Sequence, residues 1–417
     1  MKILIQHATI VAPHQELHFK KTNIQIENGS ITALGADCET TADRIIEGKN
    51  LHVSLGWFDP HVSFGEPGFE ERETLTNGLA VAAASGFTAI GLNPDTHPPA
   101  DNQAVINHLA QQSQHTLTQL LPIGCLTENK EGQHLANLYD MHTAGAVAFG
   151  DYKSSISNAQ LLKIGLQYTQ SFNGLLFSHP AAKDLENNGV VHEGITSTQL
   201  GLKGIPAIAE SVQIMRDLEI LRYTGGRLHF PFITTKESVA HIQQAKKEGL
   251  QVSCSVGLPH LLFDDRQLES FDSNFKFYPP LRTAADTQAL REGLLNGTID
   301  MVSAMHEPMN VEMKELEFDF AAPGSIGLEA AFGVLNTLFP LEKTIDFLTR
   351  GRKLFMKTLP KIEVGATANL TCFDPDPSGT FKKEALLSTS KNCAYLGIAT
   401  QGEVCATLQH KKLWTKA

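Results

Sequence analysis

The pattern of apolar and polar positions changes twice along the chain, near residue 52 and near residue 360. In the first fifty or so residues, apolar and polar side chains alternate in short segments at 3–5, 9–11, 23–26, 31–34 and 44–46. The same alternation returns near the end of the chain, at 368–373 and 403–408. Alternation with period two predicts strands that bury one face. We therefore predict one small β-sandwich domain built from residues 1–52 and 360–417.

Between these ends, short continuous apolar runs recur, and helix-like stretches separate them. The runs lie at 88–92, 119–123, 146–149, 174–177, 227–230, 252–256 and 301–304. Repeated strand–helix units of this length favour a parallel sheet that closes on itself. We predict an α/β fold, a (β/α)8 TIM barrel over residues 53–359. In such barrels the functional residues lie at the carboxyl ends of the strands.

Composition and charge exclude some classes of protein. The formal net charge is −11 over 417 residues, which argues against nucleic acid as the main partner. The sequence has no apolar run of 18 residues, its N-terminus is typical of an amphipathic strand, and its six cysteines lack CxxC spacing. We expect a cytoplasmic protein with no membrane partner.

The segment Asp59-Pro60-His61-Val62-Ser63 comes close to a metal-binding His-x-His motif. Two histidines that are two residues apart on a strand would face the same side and could bind one zinc ion. Here the second position is serine. For His61 alone we favour a strand-end histidine that hydrogen-bonds to a backbone carbonyl over a metal ligand.

Longer motifs point to a family. They are Glu66-Pro67-Gly68-Phe69-Glu70, Val191-His192-Glu193-Gly194, Lys276-Phe277-Tyr278-Pro279-Pro280-Leu281-Arg282 and Gly324-Ser325-Ile326-Gly327-Leu328-Glu329. Together with Asp59-Pro60-His61, they resemble the dihydroorotase branch of the amidohydrolase superfamily over almost the whole chain. The resemblance implies an amidohydrolase-type barrel. In that barrel a zinc-bound hydroxide attacks a cyclic amide, and a strand-end aspartate transfers the proton.

The resemblance also implies which residues should hold the metal, and most of them are replaced. His61 and His179 stand at family ligand positions and are weak candidates for metal ligands. The other positions carry Ser63, Tyr152, Phe232 and, in place of the catalytic aspartate, Met305. We therefore expect no cofactor, or zinc if any metal is bound.

The family's substrate-binding positions are changed in the same way. In the family an arginine and an asparagine hold the substrate carboxylate, and Gly65 and Asp95 stand at these two positions here. Met309 stands at the position of the family's final loop histidine. A carboxylate at position 95 would repel an anionic substrate. The pocket residues that remain are Gly65, Asp95, Lys276 and His306. Lys276 is open to two interpretations, binding of an anion or anchoring of a loop.

Three hypotheses for function follow. The first is an inactive dihydroorotase homologue that forms a homodimer. This homodimer serves as a structural partner of aspartate carbamoyltransferase or of an active dihydroorotase. The second is an active dihydroorotase or related cyclic-amide hydrolase with one metal held by His61, His179 and either Tyr152 or Asp151. The third is a sensor that binds a pyrimidine intermediate without turning it over.

Overall fold

The computed structural model describes residues 1–13 and 15–416. The strands are β1 (Lys2–Ile10), β2 (Lys21–Glu27), β3 (Ser30–Leu34), β4 (Arg44–Ile46), β5 (His52–Leu55), β6 (Trp57–Val62), β7 (Phe87–Leu92), β8 (Gln119–Gly124), β9 (Ala148–Phe149), β10 (Leu175–Phe177), β11 (Val191–His192), β12 (Gly204–Ile205), β13 (Arg227–Phe230), β14 (Val252–Gly257), β15 (Met301–Ser303), β16 (Asn369–Thr380), β17 (Ala399–Gln409) and β18 (Lys412–Thr415). The α-helices are α1 (Leu75–Ala84), α2 (Gln103–Gln112), α3 (Leu138–Thr143), α4 (Ala159–Thr169), α5 (Lys183–Glu186), α6 (Ile195–Leu200), α7 (Ile208–Thr224), α8 (Lys236–Lys247), α9 (Leu258–Leu262), α10 (Ala284–Leu295), α11 (Val311–Lys314), α12 (Leu328–Leu338), α13 (Leu341–Thr349) and α14 (Arg352–Phe355).

Eight parallel strands form the barrel. They are hydrogen-bonded in the order β6, β7, β8, β9, β10, β13, β14, β15. All residues of β6, β7 and β14 are buried, as expected of parallel strands that are covered on both faces. The predicted barrel is confirmed, and within the described residues no helix is long and apolar enough to cross a membrane.

The strands from the two chain ends form a second sheet. Its order is β18, β17, β16, β5, β1, β2, β3, with β4 paired to β1. The antiparallel pairing of β5 with β16 joins the N-terminal and C-terminal segments. This confirms the prediction that both ends build one β-rich unit, while the boundaries proposed at residues 52/53 and 359/360 stay a prediction.

The first and last barrel strands are joined mainly through side chains. Within the described residues, β6 and β15 share no backbone ladder, although they lie side by side. Asp59 on β6 accepts hydrogen bonds from Ser303 Oγ at 2.8 Å and from the Ala304 backbone N–H at 2.6 Å. It also accepts one from the His61 N–H at 2.9 Å. Burial raises the pKa of Asp59 to about 6, so the carboxylate is charged at neutral pH.

We expect Asp59→Ala to lower the free energy of unfolding by about 3 kcal/mol, because it leaves three buried donors without an acceptor. Chemical denaturation followed by circular dichroism measures this loss. Asp37→Ala removes an exposed aspartate and serves as the control, with a change of less than about 0.5 kcal/mol. Equal effects of the two substitutions would contradict the closing role of Asp59.

Candidate functional site

The residues predicted from the sequence lie at one end of the barrel. His61 and Ser63 are at the end of β6, and Tyr152 follows β9. His179 follows β10, and Met305 follows β15. Because the barrel strands are parallel, their carboxyl ends open onto the same mouth.

His61 is buried and contacts other rings. Its Nε2 lies 3.3 Å from Nε2 of His229, and its ring packs against Phe232 with a centroid distance of 4.8 Å. His229 is held in turn by Ser253 Oγ, 2.9 Å from its Nδ1. Burial lowers the pKa of His61 to about 3, so both imidazoles are neutral and share one hydrogen bond. The partner of His61 is therefore another histidine, rather than the backbone carbonyl that the sequence suggested.

His179 is also buried and neutral, but its contacts differ. Its ring lies 5.3 Å from that of Tyr278, and burial lowers its pKa to about 3. Neither ring nitrogen has a hydrogen-bond partner among residues 1–13 and 15–416. Of the two retained histidines, only His179 has both nitrogens free.

Three replaced ligand positions share an uncommon backbone conformation. Tyr152, Phe232 and Met305 have φ angles of 56°, 56° and 50°. The left-handed region is costly for side chains of this size and tends to occur at functional sites. Met305 packs so closely on Gly257 that a Cβ at that glycine would lie 2.0 Å from its sulfur. The apolar replacements thus fill the end of the barrel while the backbone keeps its strained shape.

An ion pair between a buried carboxylate and a partly buried lysine lies at the mouth. Lys153 Nζ is 2.5 Å from Oε2 of Glu307, and the Tyr152 hydroxyl donates to Oε1 at 3.2 Å. Burial, reinforced by the charges of Glu307 and Asp95, holds the pKa of Tyr152 well above its usual value. Tyr152 therefore remains a protonated donor. Its hydroxyl is engaged with Glu307, so it is not a preformed version of the phenolate ligand that the second hypothesis considers.

Asp151, the other carboxylate considered as a ligand, has a structural role. Its oxygens accept from the backbone N–H groups of Leu126 and Thr127, at 2.9 and 3.0 Å, and from the Thr127 hydroxyl at 2.5 Å. These bonds tie the end of β8 to the end of β9. Both carboxylate oxygens are already occupied.

The two positions where the resemblance implies substrate binding, Gly65 and Asp95, do not form a site for an anion. Gly65 has φ +109°, and a Cβ there would lie 2.7 Å from the Phe69 carbonyl oxygen. An arginine cannot occupy this position without a shift of the backbone. Asp95 lies near Glu307, and burial together with that charge raises its pKa. Asp95 and Glu307 therefore place two carboxylates close together at the barrel mouth.

Lys276 and His306 have packing partners of their own. Lys276 Nζ donates to the carbonyls of Phe318 and Asp319, at 2.7 and 2.9 Å, so it anchors a loop. His306 is buried, and its Nδ1 accepts weakly from the N–H groups of Gly327 and Leu328 at the start of α12. Burial lowers the pKa of His306 to about 3.

The sequence reasoning missed Lys153 and Glu307. Lys153 directly follows Tyr152, and Glu307 lies two positions after Met305, so a charged residue close to a replaced position was the available signal. Only the structure shows that the two are partners, because 154 residues separate them.

The residues present do not fit a zinc centre. No group of three or more His, Cys, Asp or Glu side chains in the described part of the chain is arranged to hold a metal ion. Catalytic zinc is normally held by three protein ligands and a water. Ser63 accepts instead from Asn93 Nδ2 at 3.2 Å, and phenylalanine and methionine offer no hard donor.

We expect Lys153→Met and Glu307→Gln each to lower the free energy of unfolding by about 2 kcal/mol, because each leaves a buried partner unpaired. The double variant should lose less than the sum, with a coupling energy of at least about 1 kcal/mol. Urea denaturation of all four proteins measures it. The exposed pair Lys236 and Glu237, 3.8 Å apart, serves as the control cycle with a coupling near zero. Equal coupling in the two cycles would contradict a buried ion pair at the mouth.

We expect His260→Gln to reduce the loss of stability in acid. His260 Nε2 contacts the Pro279 carbonyl at 3.0 Å, and burial lowers its pKa from 6.5 to about 4. Between these two pH values the unfolded chain binds a proton that the folded chain does not. The wild type therefore loses about 1.4 kcal/mol per pH unit from this group as pH falls. Denaturation between pH 7 and pH 4 should show that the free energy of unfolding falls less steeply with pH in the variant than in the wild type. Parallel curves of unfolding free energy against pH would contradict a buried neutral His260.

Comparison with known proteins supports one family. The family described as Dihydro-orotase-like matches residues 52–238. The dihydroorotase of Pelotomaculum thermopropionicum is 36% identical over 98% of this chain and 97% of its own length. That of Geotalea daltonii is 32% identical over 99% of both. Among solved structures, L-hydantoinase from Arthrobacter aurescens is similar with a TM-score of 0.87, 22% identity and coverage of 99% and 96%.

Proposed function

The chain belongs to the dihydroorotase family, and from this membership we propose that it is a catalytically inactive member that serves as a structural partner in a pyrimidine-synthesis assembly. The observation that carries the proposal is the replaced donor set at the barrel mouth. Ser63, Tyr152, Phe232 and Met305 occupy the family's metal and proton-transfer positions. The scaffold around them retains up to 36% identity over nearly its full length.

Hydrolysis of a cyclic amide requires an activated water and a group that moves its proton. His61 is engaged with His229, which leaves His179 as the one histidine of the mouth with both nitrogens free. Met305, at the position of the proton-transfer aspartate, has no ionisable group. The contact of His61 with His229 and the apolar side chain of Met305 support the proposal that the chain does not catalyse amide hydrolysis.

Binding of the family's anionic substrate is weakened as well. The positions that held an arginine and an asparagine now carry Gly65 and Asp95, and Glu307 adds a second carboxylate nearby. Lys153 offsets the charge of Glu307, so the net charge of Asp95, Glu307 and Lys153 is that of one carboxylate. The electrostatics of the mouth disfavour dihydroorotate and carbamoyl aspartate alike, which also weighs against a sensor of these compounds.

The proposed partner is aspartate carbamoyltransferase or an active dihydroorotase. Relatives that match almost the whole chain are named dihydroorotases, which act in pyrimidine synthesis. An assembly with another enzyme of that process would give a function to a barrel that folds normally but is inactive. We propose a cytoplasmic homodimer that engages such a partner.

One observation favours the second candidate, an active cyclic-amide hydrolase with a reduced metal site. Both nitrogens of His179 lie buried without hydrogen-bond partners, as those of a metal ligand would before metal binds. In that case His61 would have to break its contact with His229 to join the site. The two candidates make opposite predictions for zinc.

We expect the purified chain to contain substoichiometric zinc and to show no turnover of dihydroorotate above background. Neither EDTA nor added zinc should change its melting temperature, because no complete ligand set exists. Elemental analysis, a hydrolysis assay and thermal melts test this, with the Pelotomaculum thermopropionicum dihydroorotase as the positive control.

His179→Phe separates the two candidates. It should leave the protein as stable as the wild type at pH 7, or more stable by about 1 kcal/mol, because it removes two unpaired buried nitrogens. Stoichiometric zinc together with hydrolysis that His179→Phe abolishes would establish the second candidate and reject the first.

A further inference from the structure

Two loops beyond the carboxyl ends of β14 and β15 form one surface beside the barrel mouth. The first comprises residues 264–276, and the second residues 310–324. They meet where the Ser273 hydroxyl donates to the Lys314 carbonyl at 2.8 Å and where the ring of Phe271 lies 6.4 Å from that of Phe318. We call this surface the acidic platform.

Two buried lysines hold the acidic platform together. Lys314 Nζ donates to the carbonyls of Ser273, Ala322 and Gly324, at 2.6, 2.9 and 3.0 Å. Lys276 Nζ donates to two carbonyls of the opposite loop. Five hydrogen bonds from two ammonium groups fix both loops. The platform is therefore preformed, so a partner would not have to order it on binding.

The acidic platform exposes large apolar side chains although its loops are fixed. Phe320 is 73% exposed. Val311, Leu316 and Phe271 are exposed as well. Phe318 lies beneath them in a cluster with Val191 and Leu268. Apolar side chains grouped on a fixed surface and rimmed by charge are typical of a protein interaction site.

The charge of the acidic platform is almost entirely negative. Its exposed carboxylates are Glu269, Asp272, Glu312, Glu315, Glu317 and Asp319. Among the described residues of the two loops, Arg266 is the one exposed cation, and it pairs with Asp264 at 2.5 Å. The positive charges of Lys276 and Lys314 are directed inward. No exposed positive charge on this surface is left to balance the six carboxylates.

We propose that the acidic platform is the docking surface for a partner protein whose contact face combines lysine or arginine residues with apolar pockets. Complementary charge would steer such a partner, and Phe271, Leu316 and Phe320 would enter its pockets. A two-fold contact between copies of this chain would place the six carboxylates of one copy against those of the other. Nucleic acid is repelled by the same charges.

This inference rests on the proposed assembly role and names its surface. The probe is purified aspartate carbamoyltransferase from the same organism, titrated against the full chain by isothermal calorimetry. The variants are Phe271→Ser/Phe320→Ser, which removes apolar contacts, and Glu315→Lys/Glu317→Lys, which reverses charge. Tyr223→Ser and Glu384→Lys change exposed residues outside the platform and serve as matched controls.

Each platform variant should weaken binding by at least about tenfold. The controls should stay within about twofold of the wild type. Raising NaCl from about 50 to about 300 mM should weaken the wild-type complex and affect the charge-reversed variant less. Circular dichroism melts of every variant should match the wild type, because the substituted side chains are exposed.

Several results would overturn the proposal. One is that the wild-type chain does not bind the probe, and another is that platform and control variants weaken the complex equally. A third is that the chain forms a dimer that light scattering shows to become a monomer in the variant Phe271→Ser/Phe320→Ser. A result that contradicts the proposed lack of catalytic activity would be distinguishable from these. It would appear as zinc-dependent turnover of dihydroorotate, which the same platform variants leave unchanged.

Discussion

The barrel mouth depends on one buried carboxylate. Asp59 joins the first barrel strand to the last through Ser303 and Ala304, where no backbone ladder links β6 with β15. The same aspartate accepts from the backbone of His61 and so fixes the end of β6. The neighbouring bond from the Ser63 N–H to the His306 carbonyl, at 2.9 Å, follows from this closure. Every replaced ligand position therefore keeps its place on a closed scaffold.

Within that scaffold, Lys153 offsets the buried charge of Glu307, and the charge of Asp95 remains. Where the resemblance implies histidines and carboxylates around a cation, this chain has neutral histidines and an ion pair of Lys153 with Glu307. Neutral imidazoles avoid the cost of burying a charge, and the lysine ammonium offsets the carboxylate that remains. Tyr152, Phe232 and Met305 share left-handed φ angles, so the backbone has the same strained conformation at all three positions.

Much of the fold could be predicted from the sequence, and less of the site. The alternating segments at both chain ends and the continuous apolar runs between them predicted the terminal sheet and the barrel, because burial on one face or on both leaves a pattern in a single strand. Local sequence placed His61, His179 and Met305 at strand ends. It offered loop anchoring as one role for Lys276, but it did not reveal which carbonyls that lysine binds or that His61 meets His229, since both depend on contacts between distant segments.

The sequence by itself determined the fold, the family resemblance and which side chains stand at the positions where that resemblance implies metal ligands. These properties reside in local periodicity and in single positions. Only the tertiary structure decided which buried groups are partners, Lys153 with Glu307 and Asp59 with Ser303, and that the cations of the acidic platform point inward. The reason is physical: the energy of a buried charge or hydrogen bond depends on atoms within a few ångströms, and folding brings these together from segments far apart in the chain.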